Sequence, residues 1–239
     1  MVGLGPRSAI ERAEIGNSRP TVVRACALLD HREPAPQRRK AGMRWTQFLK
    51  RHWEVLAATD FFTVEVATWY GLVTYDVLVV MEVATRRVQV AGSTPHPTAA
   101  FMQQCARQLT DPFEGFLLGK RSLLHGRDTK FTQAFNGRRK ASGVDPIVLP
   151  PPSPHLNAHC ERFVRSLKEE DLERMLMLGE RSLHSVIQQS LTQYHHERHH
   201  QGLGNQLITP ASDLGSHSGQ VRRRDRLGRL LSCYYRDAA

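Results

Sequence analysis

The chain has 239 residues, a length that suits one main domain with a small appendage, and 40% of them are hydrophobic, enough to bury a core. The formal net charge is +10, from 33 basic and 23 acidic side chains. No apolar run reaches the ~18 residues that cross a bilayer, so the sequence predicts no membrane segment. Its four scattered cysteines form no CxxC pair, which argues against a disulfide framework or a zinc-finger cage and favours a cytoplasmic protein.

The positive charge is concentrated in the two ends of the chain. Residues 1–51 carry a net +7, residues 52–178 are neutral, and residues 179–239 carry a net +3. Basic flanks around a neutral body predict a polyanionic partner, most often nucleic acid. The alternative is an arginine-rich protein with no such partner.

The first forty residues predict a basic arm. Arg7–Ile15 and Thr21–Leu29 have the rhythm of a helix-turn-helix, in which the second helix would enter the major groove of DNA. The third helix that such a domain needs is missing, so a loosely ordered arm remains equally compatible with the pattern. The proline-containing segment that follows reads as a linker, and its cations are candidate DNA contacts: Arg38, Arg39 and Lys40.

The middle of the chain, residues 41–212, predicts an α/β domain. Its pattern indicates a helix, three antiparallel strands, a helix, a strand in two pieces, a helix, a fifth strand and two final helices. These segments are Trp45–Trp53, the strands within Val55–Val90, Thr98–Leu109, Gly115–Leu118 with Ser122–Leu124, Thr129–Ala141, Pro146–Leu149, Asn157–Leu178 and Ser182–His199. They describe a mixed five-stranded sheet, three antiparallel strands followed by parallel additions, flanked by helices. The nearly continuous apolar runs of the first two strands predict cover on both faces.

Asp60 is an acidic residue in the middle of the first predicted strand, between Ala57-Ala58-Thr59 and Phe61-Phe62. A buried carboxylate is costly unless it is paired, hydrogen-bonded or bound to a metal. Asp60 is therefore a candidate metal ligand, and a buried aspartate satisfied by hydrogen bonds is the alternative. Other strand acids, Glu65, Asp76 and Glu82, are expected at edges or loop ends.

Glu161 lies near the start of a predicted helix that Asn157 is expected to cap. Asn157, Glu161, Arg165 and Lys168 follow a 3–4 spacing and share one helical face. An acid followed by two cations could hold a metal and then grip phosphates. A solvated helix with intrahelical ion pairs gives the same pattern.

The segment from Trp53 to about Pro210 resembles the integrase-core transposases of bacterial insertion sequences, DDE-type members of the retroviral-integrase superfamily. The resemblance rests on TDFFTVEV, NAHCERFVRSLK and YHHERHHQGLGNQLITP. It implies an RNase H-like fold, a bacterial cytoplasmic location, DNA (insertion-element ends and target) as partner, a homo-oligomer, and DNA integration or transposition by phosphoryl transfer dependent on Mg²⁺ or Mn²⁺. It places the first catalytic aspartate at Asp60, the final glutamate at Glu161 and a DNA-binding basic residue at Lys168.

The second aspartate of that family has no counterpart at the matching position. Aligning LLHGRDTKF on Phe131 puts the position at Gly126, and 34 residues then separate it from Glu161, close to the family spacing. Asp128 is the possible substitute. In a continued strand it would lie ~6–7 Å further along, too far unless the loop refolds. A weakened or inactive enzyme is therefore expected, and a non-catalytic DNA-binding or dimerising relic is the alternative.

His196, Glu197 and His200 satisfy the HExxH pattern of zinc hydrolases, a weaker alternative because the match is short and lies in a histidine-rich stretch. The remaining segment, residues 213–239, is predicted to be a basic tail, with a flexible linker at Gly215–Gly219. Its arginines could follow a DNA backbone with Tyr234 and Tyr235 stacking on bases, or the tail could dock on the protein surface.

Overall fold

The computed structural model describes residues 45–149, 157–210 and 219–236. The N-terminal arm with Arg38, Arg39 and Lys40, the proline-rich loop at 150–156 and most of the predicted linker at 215–219 lie outside the described residues. Within the described ranges, no helix combines the length and apolarity needed to cross a membrane.

Five strands and five α-helices form the body of the protein. The strands are β1 (Leu56–Thr68), β2 (Gly71–Glu82), β3 (Val88–Thr94), β4 (Ser122–His125) and β5 (Asp145–Val148). The helices are α1 (Trp45–His52), α2 (Ala99–Leu109), α3 (Gln133–Ala141), α4 (Ala158–Ser166) and α5 (Gly179–His196). A hairpin of β6 (Val221–Arg226) and β7 (Leu231–Arg236) follows.

The five strands form one mixed sheet in the order β3-β2-β1-β4-β5. β1 pairs antiparallel with β2, and β2 pairs antiparallel with β3. β4 joins β1 in parallel, and β5 joins β4 in parallel. The predicted α/β class and the RNase H-like arrangement of three antiparallel strands with parallel additions are confirmed.

Each face of this sheet carries its own apolar core, as the continuous apolar runs of β1 and β2 predict. On one face, strand residues such as Phe62 and Val79 pack with residues of α4 and α5, including Phe163 and Leu183. On the other face, alternate strand residues pack with α2 and α3. Successive side chains of a strand point to opposite faces, so a doubly covered strand is apolar throughout.

The predicted strand piece Gly115–Leu118 is wrong, because this segment forms turns after α2. The Asp111 carboxylate accepts hydrogen bonds from the amides of Phe113 and Glu114. The amide of Leu117 donates to the carbonyl of Leu109. These local bonds use the backbone groups that a strand would pair, and only Ser122–His125 joins the sheet as β4.

Three predicted helices also have wrong limits. The predicted helix from Thr129 begins at Gln133, because the Thr132 hydroxyl caps it by accepting the amide of Phe135. The predicted helix Asn157–Leu178 is α-helical only to Ser166 and continues as a π-helical turn, Leu167–Asp171, and a short 3-10 turn, Leu172–Arg174. The five-residue spacing of the π turn buries both Leu167 and Leu172.

The final helix runs from Gly179 to His196 rather than from Ser182 to His199. Gly179, the first residue of α5, has a φ of 77°, a left-handed backbone conformation that glycine adopts without strain. At the other end, the amides of Glu197 and Arg198 both donate to the carbonyl of Gln193, which closes the last turn.

Candidate active site

Asp60 lies on β1 just beyond the part of the strand that pairs with β4. The parallel ladder between the two strands runs from Leu56 opposite Ser122 to Ala58 opposite Leu124. One oxygen of the Asp60 carboxylate accepts a 2.9 Å hydrogen bond from the amide of Phe61. The ends of adjacent parallel strands are where open α/β sheets place their ligands.

The register of this ladder also locates Gly126. Extending the pairing of Ala58 with Leu124 by two residues places Gly126 opposite Asp60. β4 ends at His125, so residues 126–128 leave the sheet at that point. A carboxylate side chain at position 126 would therefore lie at the end of β4, next to Asp60.

α4 brings Glu161 to the same place from the other side. Asn157 precedes the helix, but its side chain makes no cap hydrogen bond, so its predicted capping role is wrong. The side-chain amide of Asn157 instead donates a 3.3 Å hydrogen bond to the backbone carbonyl of Thr59, next to Asp60. The buried Asn157 side chain therefore ties the start of α4 to the middle of β1.

Asp60 and Glu161 line one open cavity of about 400 Å³, together with Arg165 and Lys168. Three members of the predicted stripe, Glu161, Arg165 and Lys168, thus share this cavity with Asp60. We call this cavity the acidic pocket. Asn157, the fourth member of the stripe, is buried and does not line it.

Burial and neighbouring charges raise the pKa of Asp60 from 3.8 to about 6. Burial of the carboxyl group is the largest cause. The hydrogen bond from Phe61 opposes the rise, and the carboxylates of Glu161 and Asp128 add to it. A cation placed between Asp60 and Glu161 would relieve this repulsion.

Asp128 is near enough to influence Asp60 but does not line the acidic pocket. Its carboxylate accepts the amide of Lys130 at 2.9 Å and pairs with the Lys130 ammonium at 3.1 Å. Lys130 also pairs with Asp76 at 3.0 Å and lies over the ring of Phe61. These contacts turn Asp128 toward Lys130, so its use as a replacement ligand would need this cluster to open.

The acidic pocket has the oxygen donors that Mg²⁺ and Mn²⁺ prefer. The carboxylates of Asp60 and Glu161 are the donors in this pocket that such a cation would use. In the described part of the chain, no three His, Cys, Asp or Glu side chains converge closely enough to hold a metal. The donor set is therefore compatible with a cation, but it is smaller than a three-carboxylate site.

The HExxH residues do not form a helical zinc-binding pair, because α5 ends at His196. A ring nitrogen of His196 bonds the carbonyl of Thr209, and one of His200 bonds the carbonyl of Tyr194. The Glu197 side chain is only 1% exposed and pairs with Arg226 at 2.7 Å. These residues hold the fold together at this end of the molecule.

Two of the other strand acids have structural partners. Asp76 lies in the middle of β2, an interior strand of the sheet, so its expected place at an edge or loop end is wrong. Its carboxylate pairs with Lys130 at 3.0 Å. Glu82, at the end of β2 as expected, pairs with Lys120 at 3.4 Å and accepts a hydrogen bond from the hydroxyl of Thr85.

Sequence reasoning missed Lys130, Glu169 and Glu173 around this site. Glu169 and Glu173 line the acidic pocket. Glu169 is eight residues after Glu161 and four after Arg165, so regular helical spacing already signalled its place on the same face. Glu173 is twelve residues after Glu161, and its placement follows the change of helical register at the π turn. Lys130 meets Asp76 and Asp128 only through the fold, although its place two residues after Asp128 signalled a local pair.

The architecture and the site define an RNase H-like domain with a carboxylate pocket at the end of β1. Residues 142–210, which include α4 and α5, match the family model of the integrase core domain. Over this segment the chain is similar to integrase cores, the superfamily that its motifs resemble. No curated protein matches the chain significantly.

Several solved integrase structures resemble the fold. The catalytic core domain of BIV integrase has 19% identity and a TM-score of 0.46, over 65% of this chain and 91% of its own. A simian T-cell lymphotropic virus intasome in complex with a PP2A regulatory subunit has 10% identity and a TM-score of 0.48, over 77% of this chain and 66% of its own. The HTLV-2 integrase catalytic core, a dimer in complex with magnesium, has 14% identity and a TM-score of 0.45, over 59% of this chain and 86% of its own.

Proposed function

We propose that this protein is an integrase- or transposase-like DNA-binding protein with a weakened or inactive site for metal-dependent phosphoryl transfer. The observation that carries the proposal is the acidic pocket, in which Asp60 of β1 and Glu161 of α4 lie beside Arg165 and Lys168. The match of residues 142–210 to the integrase core domain supports the same reading. The origin in a bacterial insertion sequence is part of the proposal.

In this proposal Asp60 and Glu161 hold Mg²⁺ or Mn²⁺. When bound, such a cation would polarise a phosphoryl oxygen as a Lewis acid and favour deprotonation of the attacking hydroxyl group. Arg165 and Lys168 lie along the same wall of the pocket and bind the phosphates of DNA by charge-assisted hydrogen bonds. The basic N-terminal residues Arg38, Arg39 and Lys40 add further contacts to the DNA backbone.

Gly126 is the reason to propose a weakened enzyme. It brings no donor to the end of β4, next to Asp60, and Asp128 is engaged by Lys130. A site with two of three carboxylates should bind its metal less tightly and place it less well. The same observation favours the second candidate function, a non-catalytic protein that binds DNA ends or forms dimers. Either function is proposed for a homo-oligomer.

The test is a DNA end-nicking and strand-transfer assay with Mg²⁺ or Mn²⁺, comparing the wild type with Gly126→Asp. A Cβ built at Gly126 meets no heavy atom within 4 Å, so a side chain can begin at this position without a clash at its first carbon. We expect activity to rise about 100-fold in the variant. Loss of a residue that only orients a metal ligand already costs about 10–100-fold, and the added carboxylate would be a ligand itself. Adding Asp60→Asn to that variant should abolish the gain.

Asp128→Ala decides whether Asp128 is the replacement ligand. Wild-type activity equal to that of Gly126→Asp, and lost in Asp128→Ala, would overturn the weakened site. DNA binding that falls steeply with salt concentration, without cleavage by either protein, would favour the non-catalytic candidate.

A further inference from the structure

A second cavity of about 400 Å³ lies on the opposite face of α4 from the acidic pocket. α4 presents His159, Arg162, Phe163 and Ser166 to this cavity, and Glu161 and Arg165 to the acidic pocket. The two sets are separate stripes of one helix. The cavity, which we call the basic pocket, therefore has its own lining and is independent of the carboxylate site.

The lining of the basic pocket is rich in arginine and histidine, and its arginines carry the positive charge. Six of its residues are arginines or histidines: Arg86, His159, Arg162, Arg198, His199 and His200. Among the residues that the structure describes, no aspartate or glutamate lines it. Arg198 is neutralised by Glu170 through two bonds of 2.8 and 3.1 Å. In the described part of the chain, no ion pair of 4.0 Å or less joins Arg86 or Arg162 to a carboxylate.

Arg86 is held in place as a fixed part of this pocket. Only 8% of the residue is exposed, and its φ of 63° is strained for a residue with a side chain. Its guanidinium donates to the carbonyl of Val83 at 2.7 Å and stacks over the ring of Trp53 at 5.0 Å. The carbonyl of Val83 and the ring of Trp53 orient the Arg86 guanidinium, but neither carries a negative charge that would neutralise it.

The charges in the pocket act on one another. Burial lowers the pKa of Arg86, and the charge of Arg162 adds to that effect. Burial lowers the pKa of His159 to about 4, with further contributions from Arg86 and Arg162. Two arginines facing one cavity without carboxylate partners repel each other, and a bound anion would remove that cost.

We propose that the basic pocket binds a phosphate group through Arg86 and Arg162. Guanidinium groups bind phosphate oxygens by paired, charge-assisted hydrogen bonds, and a buried, preoriented arginine loses little freedom on binding. The volume of the basic pocket, about 400 Å³, is more than ten times the ~30 Å³ that one water molecule occupies in the liquid. The pocket is therefore larger than a single phosphate group. The pocket therefore accepts a diphosphate, or a phosphate joined to a larger molecule such as the backbone of DNA. This inference does not rest on the proposed function.

The test uses the full chain in EDTA, so that the acidic pocket holds no metal, and pyrophosphate as the probe in isothermal titration calorimetry. We expect saturable binding by the wild type and about tenfold weaker binding by Arg162→Gln, since one hydrogen bond to a charged group is lost. Arg162 is exposed, so this change should leave the fold intact. Arg138→Gln, which removes one exposed charge on α3, is the matched control and should bind as the wild type does.

A competition experiment then distinguishes the sources of the phosphate. If a short DNA duplex displaces pyrophosphate and Arg162→Gln weakens the binding of both, the natural ligand is a DNA backbone. If pyrophosphate binding depends on Arg162 and DNA does not displace it, the ligand is a free phosphorylated molecule. Absence of saturable binding, equal binding by Arg162→Gln and the wild type, or binding lost in Lys168→Gln instead, would overturn the proposal.

Discussion

Arg139 is a fully buried cation on α3 with no carboxylate partner in the described ranges. Its Nη2 donates to the side chain of Asn136, and its guanidinium lies over the ring of Phe135 at 4.5 Å. Its Nε and Nη1 atoms are buried without a hydrogen-bond partner. Burial lowers the pKa of Arg139 to about 10. Such a charge costs stability, because its hydration is only partly replaced.

Replacement of this cation by an apolar side chain of similar length should therefore stabilise the protein. We expect Arg139→Met to raise the free energy of unfolding by about 1 kcal/mol, since buried charges replaced by apolar groups often give gains of this order. Urea denaturation measures the change. Arg138→Met, at the exposed neighbouring position, should stay within about 0.5 kcal/mol. A clear loss of stability in Arg139→Met would show that its existing contacts outweigh its desolvation.

His195 gives the protein a sensitivity to acid. Its Nε2 accepts the amide of Val88 at 3.0 Å, which requires a neutral ring, and burial lowers its pKa from 6.5 to about 4. The unfolded chain binds this proton below pH 6.5, whereas the folded chain binds it only below about pH 4. The contribution of His195 is therefore complete above pH 6.5 and lost as the pH falls toward 4.

His195→Gln should reduce this acid sensitivity, because glutamine can accept the same amide without titrating. The expected difference between the variant and the wild type is about 1–2 kcal/mol across that window, after allowance for the partial exposure of the ring. Denaturation at pH 7.0 and pH 4.5 measures it. Parallel pH profiles for the two proteins would assign the acid sensitivity to other groups, such as His159.

At the scale of elements, Glu197 fixes the β6–β7 hairpin to the body of the protein. Its carboxylate pairs with Arg226 at 2.7 Å and Arg224 at 3.4 Å, and the amide of Leu227 donates to the side chain of Gln189. Leu227 is buried in the core beside α5. The C-terminal segment is therefore docked on the protein surface, one of the two alternatives that its sequence left open.

Glu197→Gln should weaken this docking. We expect a loss of about 2–3 kcal/mol, below the ~3–5 kcal/mol of a fully buried pair because both arginines are partly exposed. Hydrogen exchange should be faster at the amides of β6 and β7 than in the wild type. Asp225→Asn, which disrupts an exposed pair with Arg223, is the control and should change stability by under about 1 kcal/mol. Equal effects of the two changes would contradict the role of Glu197.

The sheet could be predicted from sequence because β1 and β2 are long strands with nearly continuous apolar runs. Errors occurred where local hydrogen bonds compete with the apolar pattern. The Asp111 carboxylate accepts backbone hydrogen bonds that fold the following apolar segment into turns instead of a strand. The Thr132 hydroxyl caps α3 and so determines where this helix begins. The π turn after α4 lets both Leu167 and Leu172 pack into the core. This packing is a tertiary effect that the local sequence does not reveal.

At the scale of the whole molecule, the candidate site was only partly visible in the sequence. Asp60 and Glu161 could be chosen because each lies in a motif of the family that the chain resembles. The family spacing pointed to Gly126, and the register of β1 with β4, extended by two residues, puts Gly126 opposite Asp60. The basic pocket could not be predicted, because Arg86 and Arg162 come from distant segments that carry no shared motif.

The net charge of +10 has a more specific meaning in the folded protein. The body is neutral in sum, but α4 separates an acidic pocket from a basic one. A neutral total can therefore conceal two opposite local fields, each able to bind a different ion. The N-terminal arm, which carries much of the excess charge, remains a predicted DNA contact.

The most direct test of the weakened metal site is a comparison of Mn²⁺ affinity between the wild type and Gly126→Asp by isothermal titration calorimetry. The added carboxylate would stand at the end of β4, opposite Asp60 in the extended register. We expect Gly126→Asp to bind Mn²⁺ at least about tenfold more tightly, and Asp60→Asn to remove the gain. Equal affinities for the two proteins, with wild-type binding lost in Asp128→Ala, would show that Asp128 completes the site and would contradict this account.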